Sequence, residues 1–157
     1  MANSSCITDW KNRILAELNE NETLLEALGT TEIEREDLVK AKRIFPYQYI
    51  PDTITDVNTY IMVEISIRST SVNNIYAYPT ITFTVLCHQD DMPLEMKGVS
   101  ATRADYLSVL IDDMYNGAEG FGLGRLELKS NIAGNLNEKY RFRELTFRAV
   151  DFNNGMC

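Results

Sequence analysis

The sequence predicts an α+β fold: one antiparallel or mixed β-sheet of about four strands, packed with an N-terminal helical segment and one central helix. Three observations predict it. The first 28 residues carry apolar side chains at helical spacing. The runs "TYIMVEISIRST" and "ITFTVLCH" alternate apolar and polar residues on either side of a turn. A second helical stretch, "SATRADYLSVLIDDMYNG", then separates this hairpin from another pair of strand-like runs. Hairpins rather than crossover helices join consecutive strands, which is why the sheet is expected to be antiparallel. A length of 157 residues suits one domain over 1–157 with a core of its own.

Taken in order, Ile7, Trp10, Ile14 and Leu18 recur at helical spacing in "SSCITDWKNRILAELNE", and a Ser or Thr is available to cap the start. Asn21 can cap a short second helix carrying Leu24, Leu25 and Leu28, with Gly29 ending it in a left-handed turn. The N-terminal helices therefore occupy about 5–28. The acidic stretch "TEIEREDLVKAK" has room for one more helical turn, though its apolar content is thin.

The stretch "KRIFPYQYIPDT" then forces the chain open, because Pro46 and Pro51 push the residues before them into extended geometry. Phe45, Tyr47 and Tyr49 alternate along it, as in an arm that lays an aromatic face on the sheet or on a neighbour. The two prolines stand five apart rather than three, which favours a connector that also packs over a PxxP ligand.

In the first strand Ile61, Val63, Ile65 and Ile67 share a face; in the next, Ile81, Phe83, Val85 and Cys87 do. The hairpin tip falls at about 68–80, where "STSVNNIYAYPT" carries an Asn-Asn turn signal and presents Tyr76 and Tyr78. Ser100 or Thr102 can cap the central helix, whose inner stripe is Leu107, Leu110, Ile111 and Met114, and Gly117 can end it. "GRLELKSNI" and "KYRFRELTFRAVDFN" form the last two strands around "AGNLNEK". In the final run Tyr140 and Phe142 face one way while Leu145, Phe147 and Ala149 face the other. Such a pattern fits either a β-bulge near Glu144 or a sheet covered on both faces.

Composition narrows the function classes. A formal charge of −8 disfavours a surface that coats nucleic acid, since such surfaces match phosphates with Lys and Arg. It suits one that lets DNA pass without sticking. No run approaches the roughly 18 to 20 apolar residues that span a bilayer, and "MANSSCITDWKNR" lacks the apolar centre of a signal peptide. A cytosolic site of assembly and no membrane partner are therefore expected. Cys6, Cys87 and Cys157 are far apart and odd in number, and read as free thiols.

Candidate chemistry is sparse. Glu127 and Lys129 form the E-x-K spacing by which restriction-like nucleases hold a metal and orient water, and Pro51-Asp52 supplies a Pro-Asp pair, though about 75 residues upstream. E-x-K also arises by chance in charged strands. His88 with Asp90 and Asp91 has the donor types of a divalent-metal site, but a polar loop at a strand end explains them equally. "NGAEGFGLGR" runs from helix to strand, the reverse of a phosphate-binding loop, and lacks the G-K-[ST] ending. Cys87 has no activating base, because the adjacent His88 points to the opposite face. No cofactor, metal or catalytic residue is expected. Arg141, Arg143 and Arg148, with Lys139, give the last strand a basic face in an acidic protein. They serve either cross-strand salt bridges to residues such as Glu127 or a subunit contact with the acidic helix surface at Glu17, Glu20 and Glu22 of a neighbouring copy.

As an ordered set, "ILAELNENETLLEALG", "IFPYQYIPDT", "TYIMVEISI", "TRADYLSVLIDDMYNG" and "YRFRELTFRAVDFN" resemble the small tail-terminator and head-tail joining (neck) proteins of long-tailed bacteriophages. The resemblance covers most of the chain as a pattern of residue types. It implies a non-enzymatic virion protein of the tail or neck, assembled in the host cytoplasm as a homo-oligomeric ring, often hexameric. Such a ring caps the tail tube, meets the tube protein and head-completion or neck proteins, and lets DNA pass through its lumen without specific binding. A ring closed by rotation needs two different complementary faces on each subunit. Tyr76, Tyr78, Arg141, Arg143 and Arg148 are the candidate interaction residues. A neck adaptor or stopper between portal and tail is the alternative of the same class, and a metal-dependent nuclease using Glu127 and Lys129 is the alternative of another.

Overall fold

A computed structural model describes residues 4–50 and 56–153 of the chain. Three helices lead: α1 (Ser5–Glu20), α2 (Glu22–Leu28) and α3 (Glu32–Glu36). They are followed by β1 (Ile44–Phe45), β2 (Thr59–Thr70), β3 (Tyr76–His88), a 3-10 turn (Gln89–Asp91), α4 (Arg103–Tyr115), β4 (Glu127–Asn135), β5 (Tyr140–Arg148) and β6 (Asp151–Phe152). The sheet runs β1-β2-β3-β5-β4, with β6 paired to the first residues of β3. All pairings are antiparallel except β1 with β2, so the sheet is mixed. The α+β class holds, and the two extra strands beyond the four expected are each only two residues long.

The caps follow the residue types. Asn21 accepts from the Leu24 N–H at 3.0 Å, Gly29 ends α2 at φ 75°, and Thr31 with Glu34 makes a reciprocal capping box on α3. Thr102, rather than Ser100, caps α4 by accepting from the Asp105 N–H. Ser4 occupies the cap position of α1 but its side chain makes no capping bond.

One core lies between the helices and the sheet. Trp10, Ile14 and Leu18 of α1, Leu25 and Leu28 of α2, and Leu107, Ile111 and Tyr115 of α4 press on Val63, Phe83, Val85, Leu145 and Phe147. Phe83 is fully buried, edge-on to Phe147 at 5.7 Å and stacked on Tyr115 at 4.8 Å. A smaller core covers the opposite face, where Tyr60, Met62, Leu86 and Tyr140 receive Phe45 and Tyr49 from the aromatic arm. Phe45 stacks on Tyr49 at 4.3 Å, while Tyr47 stays half-exposed. The arm is thus a connector that packs on its own sheet; Pro51 and Asp52 lie outside the described residues. Two-sided covering also settles the pattern in β5. Its register against β3 is unbroken from Thr80↔Arg148 to His88↔Tyr140, and the irregularity lies instead in β4, between Leu128 and Ser130.

The helices are fastened to the sheet by two arginines at the C-terminal end of α2. Arg43, only 4% exposed, donates to the Leu28 carbonyl at 2.5 Å, the Gly29 carbonyl at 3.5 Å and the Thr59 carbonyl at 3.1 Å, and pairs with Glu34 at 2.8 Å. Arg103 donates to the Ala27 carbonyl at 2.5 Å and the Asp91 carbonyl at 2.7 Å. Carbonyls at a helix end lack partners within the helix, and the helix dipole makes that end negative, so two guanidinium forks are well matched to it.

Replacing Arg43 with Ala strands at least two carbonyls and the Glu34 carboxylate, and should cost about 3 kcal/mol in urea unfolding. R43K should recover little of this, because one ammonium cannot span the same acceptors. A second expectation concerns alkali: burial pushes the Cys87 thiol up from 9.0 to about 11, and raises Tyr115 and Tyr140 as well. Below 9.0 folded and unfolded chains both hold the thiol proton; above it only the unfolded chain releases it, until the folded thiol titrates near 11. The urea midpoint should therefore fall across that window, and a flat profile would contradict this burial.

Candidate functional site

The hairpin of β2 and β3 carries the most distinctive surface. Its turn is tied by the Ser71 N–H donating to the Tyr76 carbonyl at 2.8 Å and by Asn74 in a left-handed conformation at φ 57°. Val72, Ile75, Tyr76 and Phe152 are exposed apolar side chains there, Val72 completely. The Phe152 ring stacks on Tyr76 at 5.7 Å because β6 folds back onto the start of β3, pairing Tyr76↔Phe152. Asn153 fixes this by donating from its backbone to the Ile75 carbonyl at 2.7 Å. Tyr78 differs from Tyr76: it is partly buried, with the Arg148 guanidinium 4.1 Å from its ring centroid.

The candidate arginines do not form one basic face. Arg141 and Arg143 lie on the helix side of β5, and Arg148, an odd number of residues away, lies on the other, since strand side chains alternate. Arg143 donates to Asp105 at 2.8 Å and Asn131 at 3.1 Å, tying β5 to α4 and β4. Arg141 donates to the Asn137 carbonyl at 3.0 Å in the β4–β5 turn. Of the acidic set, Glu17 pairs with Arg13 at 2.7 Å and Glu22 with Arg35 at 3.0 Å.

The enzymatic candidates are occupied with local structure. Glu127 and Lys129 pair with each other on the exposed edge strand β4, and the lysine holds the Glu127 carboxyl below the usual range. Buried His88 accepts from the Asp90 N–H at 3.0 Å through Nδ1 and sets its ring edge-on to Tyr140. Asp91 accepts from the Thr59 hydroxyl at 2.6 Å and faces Arg103 at 3.5 Å. No cluster of three or more His, Cys, Asp or Glu fit to hold a metal occurs among the described residues, and no helix among them is long and apolar enough to cross a membrane. Cys87 is a buried free thiol, but Cys6 is disulfide-bonded, which corrects the expectation of free thiols throughout; Cys157 lies outside the described residues. The glycine-rich loop plants buried Phe121 edge-on to Trp10 at 5.6 Å, and Gly122 there leaves no room for a side chain against the Val150 carbonyl.

The sequence profile of the YomW family matches residues 13–149, nearly the whole described chain. The chain belongs to the YomW family. No curated protein matches it. Among solved structures, this YomW-family fold is similar to a chain from the "Virion of native gene transfer agent (GTA) particle", at a TM-score of 0.55 and 16% identity over 87% of this chain and 90% of that chain.

In this YomW-family chain the hairpin tip carries exposed apolar groups, whereas Arg141 and Arg143 are engaged internally. R143A should lower stability by about 0.5 to 1 kcal/mol, the range for a partly exposed pair, and leave self-association unchanged. Parallel urea melts and sedimentation runs would check both halves of that expectation.

Proposed function

We propose that the protein is a structural component of a bacteriophage virion, forming a ring of identical copies, six in the simplest case, that terminates the tail tube and joins it to the head. The observation that carries this reading is a fold shared along nearly the full length of both chains with a component of a gene transfer agent virion. Membership of the YomW family accompanies it. A ring subunit needs exposed, unspent contact surface, and the apolar hairpin tip supplies some. The charge of −8 fits a lumen through which DNA slides without binding. The tail tube protein and head-completion or neck proteins are the partners, and the role is positional rather than catalytic.

An adaptor or stopper at the neck is the second reading, favoured by the same virion likeness. Deleting the gene separates the two: tails of uncontrolled length identify a terminator, and normal tails that fail to join heads identify an adaptor. For the purified chain, native mass spectrometry and negative-stain microscopy should show a closed ring that forms with rising concentration. A chain that stays monomeric at all concentrations, or that cuts DNA with magnesium, would overturn the proposal. Replacing Tyr76 and Tyr78 by Ser should impair assembly or tail joining, with Tyr76 the larger contributor because it is exposed whereas Tyr78 is partly buried beside Arg148.

A further inference from the structure

Two features of the surface are complementary to each other and lie too far apart to meet within one chain. The first is the hairpin tip, with Val72 and Ile75 at its end. From residue 65 to residue 89 the chain has no Asp or Glu and a single cation, Arg68, in a protein of net charge −8. Arg68 lines a cleft of its own sheet with Glu64 and Glu144 but makes no ion pair among the described residues, so it is exposed and able to turn toward a neighbour.

The second feature is a cavity of about 230 Å³ between α1 and the segment after α3. Its apolar wall comes from Leu15, Leu38, Val39 and Ile44, and its rim carries Glu36 and Asp37. Val39 and neighbouring Ile33 are exposed apolar residues, and Glu36 is an exposed carboxylate outside every ion pair of the described residues. The cavity has room for one or two branched aliphatic side chains.

The cavity adjoins β1, which pairs with β2 at Ile61 and Met62, whereas the turn begins at Ser71. Nine strand residues at about 3.3 Å each separate the two by roughly 30 Å. A knob and a hole at opposite ends of one rigid hairpin cannot satisfy each other in the monomer.

We infer that the hairpin tip of one copy docks in the α1–α3 cavity of the next, Val72 and Ile75 filling the apolar wall and Arg68 meeting Glu36 and Asp37 at the rim. The contact is head-to-tail: each copy gives a tip and receives one, and such contacts close into a ring when the rotation allows. Charge complementarity fixes orientation, and burial of the branched side chains supplies the driving force. This inference rests on the ring reading above and adds the surfaces that build it.

The test uses two variants of the full chain, Val72→Asp at the tip and Val39→Asp at the cavity, both at exposed positions. Each alone should keep the wild-type melting profile and raise the half-assembly concentration roughly 30-fold or more, as loss of an interface hot spot does. Mixed in equal amounts they retain one intact tip and one intact cavity between them, and should form dimers that grow no further. R68E should weaken assembly, and E36R in the same chain should restore it. If the wild type forms rings and either aspartate variant does so equally well, the docking is wrong while the ring reading stands. If the wild type never self-associates, both fall. If V72D forms rings but fails to join tails, the tip serves another protein and the inference is overturned.

Discussion

The C-terminal end of α2 is the point on which the rest of this structure depends. Seven residues of helix finish there against the sheet, and their last carbonyls would be orphaned in a dry interior. Arg103 takes Ala27, Arg43 takes Leu28 and Gly29, and the two arginines are linked through Thr59 and Asp91. A chain of polar contacts thereby encircles one helix end and joins the N-terminal helices, the start of β2, the 3-10 turn and the start of α4. Each partner is satisfied by another, which is the condition under which buried charge fixes one arrangement rather than opposing folding.

From that junction the sheet is built with two unequal sides. The helical side is a continuous apolar core. The other is apolar only where the aromatic arm lies, and beyond it presents Glu64, Arg68 and Glu144 among Ser66, Thr80, Thr82 and Thr146 around an open cleft of about 220 Å³. Lys11 closes the gap between the two sides, donating to Glu64 at 2.6 Å and to the Pro46 carbonyl at 2.7 Å. At the end of the hairpin Val72 and Ile75 are exposed, beside the stacked pair of Tyr76 and Phe152.

Periodicity carried most of the fold. Trp10, Ile14 and Leu18, the alternating runs of β2 and β3, and the Asn21 and Thr102 caps all stand where local patterns place them, because those patterns are set by each residue's own neighbours in sequence. Long-range pairings were not legible. Arg43 and Arg103 stand in the sequence as ordinary cations, and nothing nearby reveals that both serve one helix end 14 to 76 residues away. The single basic face expected on β5 is divided by parity: Arg148 is an odd number of positions from Arg141 and Arg143 and so lies on the other side of the sheet. Tyr76 was visible as a tip aromatic, but its partner Phe152 was not, since the two lie 76 residues apart in sequence and meet only through the β3–β6 pairing. A signal for the tip did exist in the 25-residue absence of acidic side chains around Val72 in so acidic a chain.

The central claim is that this fold is a ring-forming part of a virion. Cryo-electron microscopy of particles from a phage that carries the chain tests it most directly. The account predicts density for this fold, repeated around the axis as a closed ring, at the head-proximal end of the tail tube. Finished particles that lack the chain, or that hold it as isolated single copies, would contradict it.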